Sequence, residues 1–339
     1  MPVYQGRAVN NRRKLIVALG AGAIAIGNPL GSFAQQPAAR LRRIGFLGPT
    51  SAAAYAKELE GLRAGLRELG HEEGKNLHIE FRWAGANYAQ LPALAAELAG
   101  IKVELIVSAT TPVSLALQKA TATIPIVIVN IGDPVGSGLV KSLARPGGNI
   151  TGLSNLVADM NNKRLEMLLG ILPKLTRVAY LFNPGNSQNF IGFKDVQATG
   201  QKRGITVMPA SARTPEEIDS AFSAARQQNA AALMVGLDGF LQQQRSQIVA
   251  LTAKHRLPCM TTDPAYAEAG CLISYGTNLT EHFRQAAAYV DKILKGAKPA
   301  DLPIEQPTKF ELIINRKTAR TLGLAIPQSL LISADKLID

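Results

Sequence analysis

The sequence predicts an α/β protein of two similar lobes, each a doubly wound parallel sheet, joined by a hinge that the chain crosses three times. Three observations carry this. Apolar runs of strand length alternate with helix-spaced amphipathic stretches over most of the chain. The pattern also restarts halfway. Arg43-Ile-Gly-Phe-Leu-Gly-Pro49 returns as Arg177-Val-Ala-Tyr-Leu-Phe-Asn-Pro184, Leu105-Ile-Val-Ser108 as Leu233-Met-Val-Gly236, and Ile124-Pro125 as Leu257-Pro258, at an offset of about 130 positions. Finally, Ile150–Ser154, Leu272–Gly276 and the proline-rich stretch before Phe310–Ile314 give the chain three places to pass between lobes. Such a clam-shell closes over a ligand by hinge motion.

In chain order, Arg43–Pro49 reads as a first strand and Tyr55–Leu69 as an amphipathic helix. Leu77–Phe81, a helix over Leu91–Leu98 and a strand over Val103–Val107 follow. Thr111 reads as an N-cap with Pro112 at the first helical position. Ile124–Val129 is a β-branched run of the kind buried on both faces of a parallel sheet, and a glycine-rich polar loop closes it. In the second half come a strand at Arg177, a helix near Phe193–Arg203, a strand Thr206–Pro209 and a helix capped at Thr214-Pro-Glu-Glu217. A strand at Leu233, Leu257 running into the next apolar run, and a helix Thr280–Leu294 complete the pattern.

The 339 residues, 47% hydrophobic and 18% charged, suffice for two cores and argue against disorder. Residues 1–34 read as an export signal. Arg12, Arg13 and Lys14 precede the apolar core Leu15–Ile26, which is shorter than the roughly 20 residues a membrane span needs, and Ser32-Phe-Ala34 is a small-x-small cleavage site. A buried helix is the alternative. Asn-Arg-Arg-Lys-Leu-Ile also fits a twin-arginine signal. Cleavage near Ala34 lowers the formal charge from +12 to about +8. The remaining basic residues form no stripe interleaved with aromatics, which argues against nucleic acid as a partner. Cys259 and Cys271 form a disulfide or stay as two buried thiols; export favours the bridge and the apolar surroundings allow the thiols.

From about Arg42 onward the chain resembles ABC transporter substrate-binding proteins of the periplasmic-binding type I fold, in the family with tryptophan- and phenylalanine-binding members. The runs that carry the resemblance are Asp133-Pro-Val-Gly-Ser-Gly-Leu, Arg145-Pro-Gly-Gly-Asn-Ile-Thr-Gly152, Leu279 with the alanine-rich helix after it, and Asp301-Leu-Pro-Ile-Glu-Gln-Pro-Thr-Lys-Phe-Glu-Leu-Ile-Ile-Asn315. The resemblance implies a periplasmic monomer that captures a small ligand, an amino acid or related carboxylate, and delivers it to an ABC permease in the inner membrane. It implies a linker over 35–41, one lobe from 42–151 plus about 278–309, and a second from 152–277 plus about 310–339, the last assignment being open.

The ligand would lie between loops at the strand ends. These hold Pro49, Thr50, Ser51, Tyr55, Ser108, Thr110, Thr111 and Asp133 on one side and Asn183, Asn186, Ser187, Asp238, Asp263 and Tyr266 on the other, with Tyr275 near a hinge. Thr110, Thr111 and the free amides of the helix at Pro112 suit a carboxylate. Asp133 or Asp238 suits an ammonium group. Asp133 and Asp263 each precede proline and fit turns equally well, whereas Asp238 has no evident turn duty. No dinucleotide, phosphate-loop or nucleophile-elbow pattern occurs, and His71, His78, His255 and His282 are scattered, so neither catalytic residues nor a metal or cofactor is expected. The runner-up readings are a ligand sensor that presents its closed form to a membrane receptor and an exported α/β enzyme.

Overall fold

The computed structural model describes residues 41–155 and 157–339; the export segment, its cleavage site and nearly all of the linker lie outside the described residues. The first sheet has five strands, all parallel, in the order β2-β1-β3-β4-β5. In chain order its elements are β1 (Arg42–Gly48), α1 (Ala56–Glu68), β2 (Leu77–Trp83), α2 (Leu91–Gly100), β3 (Ile106–Ala109), α3 (Thr111–Ala120), β4 (Ile126–Ile131) and β5 (Ile150–Ser154). Strands β3, β4 and β5 are buried along their whole length, as expected of strands covered on both faces. The predicted joint at Ile150–Ser154 is thus itself a fifth strand.

The chain then leaves for α4 (Val157–Ile171) and builds β6 (Arg177–Phe182), α5 (Ser187–Lys202), β7 (Thr206–Ser211), α6 (Pro215–Gln227), β8 (Ala232–Val235), α7 (Gly239–Gln243), α8 (Arg245–His255), β9 (Cys259–Thr261), α9 (Pro264–Ala269) and β10 (Ile273–Gly276). It returns to the first lobe with α10 (Leu279–Leu294), which packs along α1. The two helices approach closely because α1 carries glycine at the contact: a Cβ on Gly61 would lie 2.2 Å from the Thr280 carbonyl oxygen. In the third crossing Glu305 pairs with Leu153, and the chain ends with β11 (Glu311–Asn315), α11 (Arg316–Leu322), α12 (Gln328–Ser333) and β12 (Lys336–Ile338).

The second sheet has seven strands in the order β12-β11-β10-β9-β8-β6-β7. It is parallel apart from one pairing: β11 runs antiparallel to β10. The third crossing delivers the chain to the sheet from the other lobe, so β11 enters from the opposite end. Each sheet is sandwiched between two apolar clusters, one on each face. Cys259 and Cys271 are joined as a disulfide with their Cα atoms 5.1 Å apart, inside one face of the second lobe.

Candidate ligand cleft between the lobes

In a parallel sheet the loops at the carboxyl ends of the strands gather on one edge. Here those edges face each other. The loop after β3 meets the start of α5, the loop after β1 meets the residues after β8, and Tyr88 after β2 reaches Asp238. The lobes touch: a Cβ on Gly239 would stand 2.6 Å from Pro49 Cγ, so this contact tolerates no side chain there.

At the first junction Thr110, Thr111 and Asn130 face Asn186, Gln188 and Asn189 around a cavity of about 20 Å³. That is room for about one water molecule, so a larger ligand enters only when the lobes part. Thr110, and not Thr111, is the residue preceding the first turn of α3; Thr111 is the first helical residue and Pro112 the second. Thr110 has φ 84° and Asn130 has φ 64°. For a β-branched threonine this is a costly conformation, on the order of 1–3 kcal/mol, of the kind that clusters at ligand clamps. Thr110 is 4% exposed and its hydroxyl has no hydrogen-bond partner among the described residues; the same holds for Gln188 Nε2. Ser108 is turned inward and bonds Ser114 at 2.7 Å.

Asp238 occupies the centre, 2% exposed. Its Oδ1 accepts from Asn183 Nδ2 at 3.1 Å and from the Leu241 amide at 3.3 Å, and its Oδ2 accepts from Asn186 Nδ2 at 3.1 Å and from the Tyr88 hydroxyl at 2.8 Å. The expectation that Asp238 had no turn duty is therefore corrected: it caps α7. Four donors fill its oxygens, which leaves little capacity for a ligand ammonium. Burial pushes its pKa up, and the donors from Asn186, Tyr88 and Asn183 oppose that rise. Tyr88 is the one donor from the opposite lobe.

On the outer side, Tyr55 is 2% exposed and Thr50 fully buried, and neither hydroxyl has a partner among the described residues. Asp263 caps α9 through the Ala265 amide at 2.9 Å and accepts from Gln242 Nε2 at 3.2 Å, with Arg245 at 3.9 Å. At the rim Lys57 of α1 and Glu268 of α9 pair at 3.5 Å.

The remaining candidates serve the lobes themselves. Asp133 is exposed and accepts from the amides of Val135 and Gly136, a turn. Ser51 accepts from the Ala54 amide. Asn186 caps α5, of which the exposed Ser187 is the first residue. Tyr266 is buried in the second lobe, its hydroxyl donating to the Leu241 carbonyl. Tyr275 packs on Phe310 with ring centroids 6.0 Å apart.

The sequence reading placed Asn130 on a lip of the cleft but missed Tyr88, Gln188 and Gln242. It also missed a relay at the hinge, in which Thr277 on the second crossing donates to Asn155 on the first, and Asn155 donates to Asn130. Tyr88 lies in the loop after β2, so the strand-end rule applied to every strand would have found it. Gln188 and Gln242 sit in first helical turns with no motif to mark them.

The family model for ABC transporter substrate binding proteins matches residues 43–338. A curated tyrosine-binding protein from Clostridioides difficile (strain R20291) is 25% identical over 268 residues, covering 79% of this chain and 77% of that protein. Among solved structures, a conserved domain protein from Vibrio cholerae superposes with a TM-score of 0.82 at 29% identity, covering 88% of this chain and all (100%) of the other. The ABC domain from Streptococcus pneumonia in complex with L-Trp gives 0.80 at 26% identity, covering 88% and 99%.

Proposed function

Since the chain belongs to the ABC transporter substrate-binding protein family, we propose that it is exported through its first 34 residues, captures a free amino acid with an aromatic side chain between its lobes, and delivers it to an ABC permease. The observation that carries this reading is the junction of α3 with α5. The α3 amino end and the Thr110 hydroxyl, 4% exposed, face Gln188 Nε2, and neither side-chain atom has a hydrogen-bond partner among the described residues. Backbone amides, a hydroxyl and an amide NH₂ are all donors, and the helix dipole adds partial positive charge, so this junction suits a carboxylate. The relatives named as binding tyrosine and L-Trp support an aromatic amino acid as the cargo.

Capture without chemical change fits the site, whose aspartates are committed to helix caps and side-chain amides. Calorimetric titration of the protein from Gln35 onward with L-tyrosine, L-tryptophan and L-phenylalanine tests the reading. Saturable 1:1 binding of at least one, lost in Thr110→Val, is the expected result; absence of binding to all three would overturn it.

A further inference from the structure

We propose that Arg164 of α4, acting through Asn161 and the Tyr180 hydroxyl, supplies the counter-charge for the ligand's carboxylate at the junction of α3 with α5. The proposal rests on the amino-acid reading above and names the positioning residue that makes the cleft select a carboxylate.

Arg164 is a buried cation, 4% exposed. Its Nε donates to the Tyr275 carbonyl at 2.8 Å and its Nη1 to Asn161 Oδ1 at 2.6 Å, both neutral acceptors, and among the described residues no carboxylate pairs with it. Burial brings its pKa down to about 10, so the guanidinium still carries its charge at neutral pH. A buried charge without an anionic partner is expensive to keep, and an arriving anion lowers that cost.

A chain of contacts leads from this charge to the cavity. Arg164 only donates, so it fixes Oδ1 of the Asn161 amide toward itself and turns Nδ2 the other way. Nδ2 then faces α5, 3.5 Å from the Gly192 carbonyl oxygen. A Cβ on Gly192 would stand 3.0 Å from both Nδ2 and the Tyr180 hydroxyl, so the two groups converge on a point of α5 that carries no side chain. Burial pushes the Tyr180 pKa up to about 12; the charge of Arg164 opposes the rise, that of Asp195 adds to it, and the donor from Asn161 opposes it. A phenol oxygen that accepts from Asn161 keeps its own proton to give elsewhere.

Tyr180 lines the small cavity at the junction, together with Thr110, Asn130 and Gln188. Its proton thereby joins the Thr110 hydroxyl and Gln188 Nε2, neither of which has a partner among the described residues, and the amino end of α3. These groups offer donors and partial positive charge, and the guanidinium behind Tyr180 adds a full one. A carboxylate accepts from several of them at once. Asn161, Arg164, Tyr180 and Gln188 all stand on α4, β6 and α5, so they stay together when the lobes part. The carboxylate can therefore bind the second lobe first, with α3 closing on it afterwards.

The experiment titrates L-tyrosine, L-tryptophan and L-phenylalanine, each beside the amine that lacks its carboxylate (tyramine, tryptamine and phenethylamine), into wild type, Arg164→Met, Arg164→Lys and Tyr180→Phe. Arg164→Met and Tyr180→Phe should weaken the amino acids at least tenfold and the amines less than twofold. Arg164→Lys keeps the charge and should bind the amino acids at least threefold more tightly than Arg164→Met. An arginine that only braces the fold would weaken amino acid and amine alike or leave both unchanged, and either result overturns the proposal. So does equal loss in Arg164→Lys and Arg164→Met, the comparison that decides if the amines bind too weakly to measure. Tyr180→Phe removes one oxygen from a buried ring, and so serves as the folded control if Arg164→Met loses stability. Wild type that binds an amine as tightly as its amino acid overturns this proposal while leaving the cleft reading intact. If wild type binds none of the three amino acids, both fall.

Discussion

The hydroxyl of Tyr88 donates to Asp238 Oδ2 at 2.8 Å across the cleft, so a side chain of one lobe completes the hydrogen bonding of a buried carboxylate in the other. Opening the lobes breaks this bond and leaves Asp238 with its three donors from its own lobe. The bond thus favours closure without adding to the stability of either lobe alone. Tyr88→Phe should weaken ligand binding by about 10- to 150-fold, since a hydrogen bond to a charged group is worth about 1.5–3 kcal/mol. Calorimetry should show the loss, while thermal unfolding without ligand stays within a degree or two of wild type.

Gly239 gives a steric counterpart. A Cβ there would meet Pro49 Cγ at 2.6 Å, yet Gly239 itself opens α7 within the second lobe. Gly239→Val should hold the cleft ajar, with affinity reduced tenfold or more. Small-angle scattering should then show no contraction on adding ligand that contracts the wild type; a normal contraction would refute the contact's role.

The Cys259–Cys271 disulfide closes a short loop between neighbouring strands, with a sequence separation of 12. Chain-entropy arguments give such a loop about 3 kcal/mol. Cys259→Ala/Cys271→Ala should lower urea-unfolding stability by about 2–3 kcal/mol, and reductant should lower wild type to the same level. A double variant as stable as wild type in both conditions would show that packing alone holds this face.

His282 on α10 is buried, at 5% exposure. Burial brings its pKa down to about 4, with Glu281 opposing. The unfolded chain, with an ordinary histidine pKa near 6.5, binds this proton at a pH where the folded chain does not. Stability from this group is therefore complete above about pH 6.5 and is lost as pH falls toward 4, by up to about 3 kcal/mol. Urea unfolding at pH 7.5 and 5 should show a smaller drop for His282→Leu than for wild type; equal drops would assign the acid sensitivity elsewhere.

The lobes and their three connections were legible because strand periodicity and the internal repeat are local patterns, written in runs such as Ile124–Val129 and its partner near Leu257. The reversed direction of β11 was not, because Phe310–Ile314 reads the same in either direction. In the cleft, strand-end position picked out Thr110, Asn186, Asp238 and Asp263, but not what occupies them. Whether Asp238 is free or saturated depends on Asn183, Asn186 and Tyr88, which lie 55, 52 and 150 positions away and meet it only after folding.

The third crossing also sets an order of assembly. The first lobe lacks α10 until residue 294 has been made, and the second lacks β11 until residue 315. The first lobe, though begun first, thus waits for nearly all of the second to be made, and a chain cut before Glu311 leaves β10 as an open edge ready to pair with a neighbouring molecule. The last thirty or so residues therefore cover an edge that a copy truncated before Glu311 should expose to aggregation.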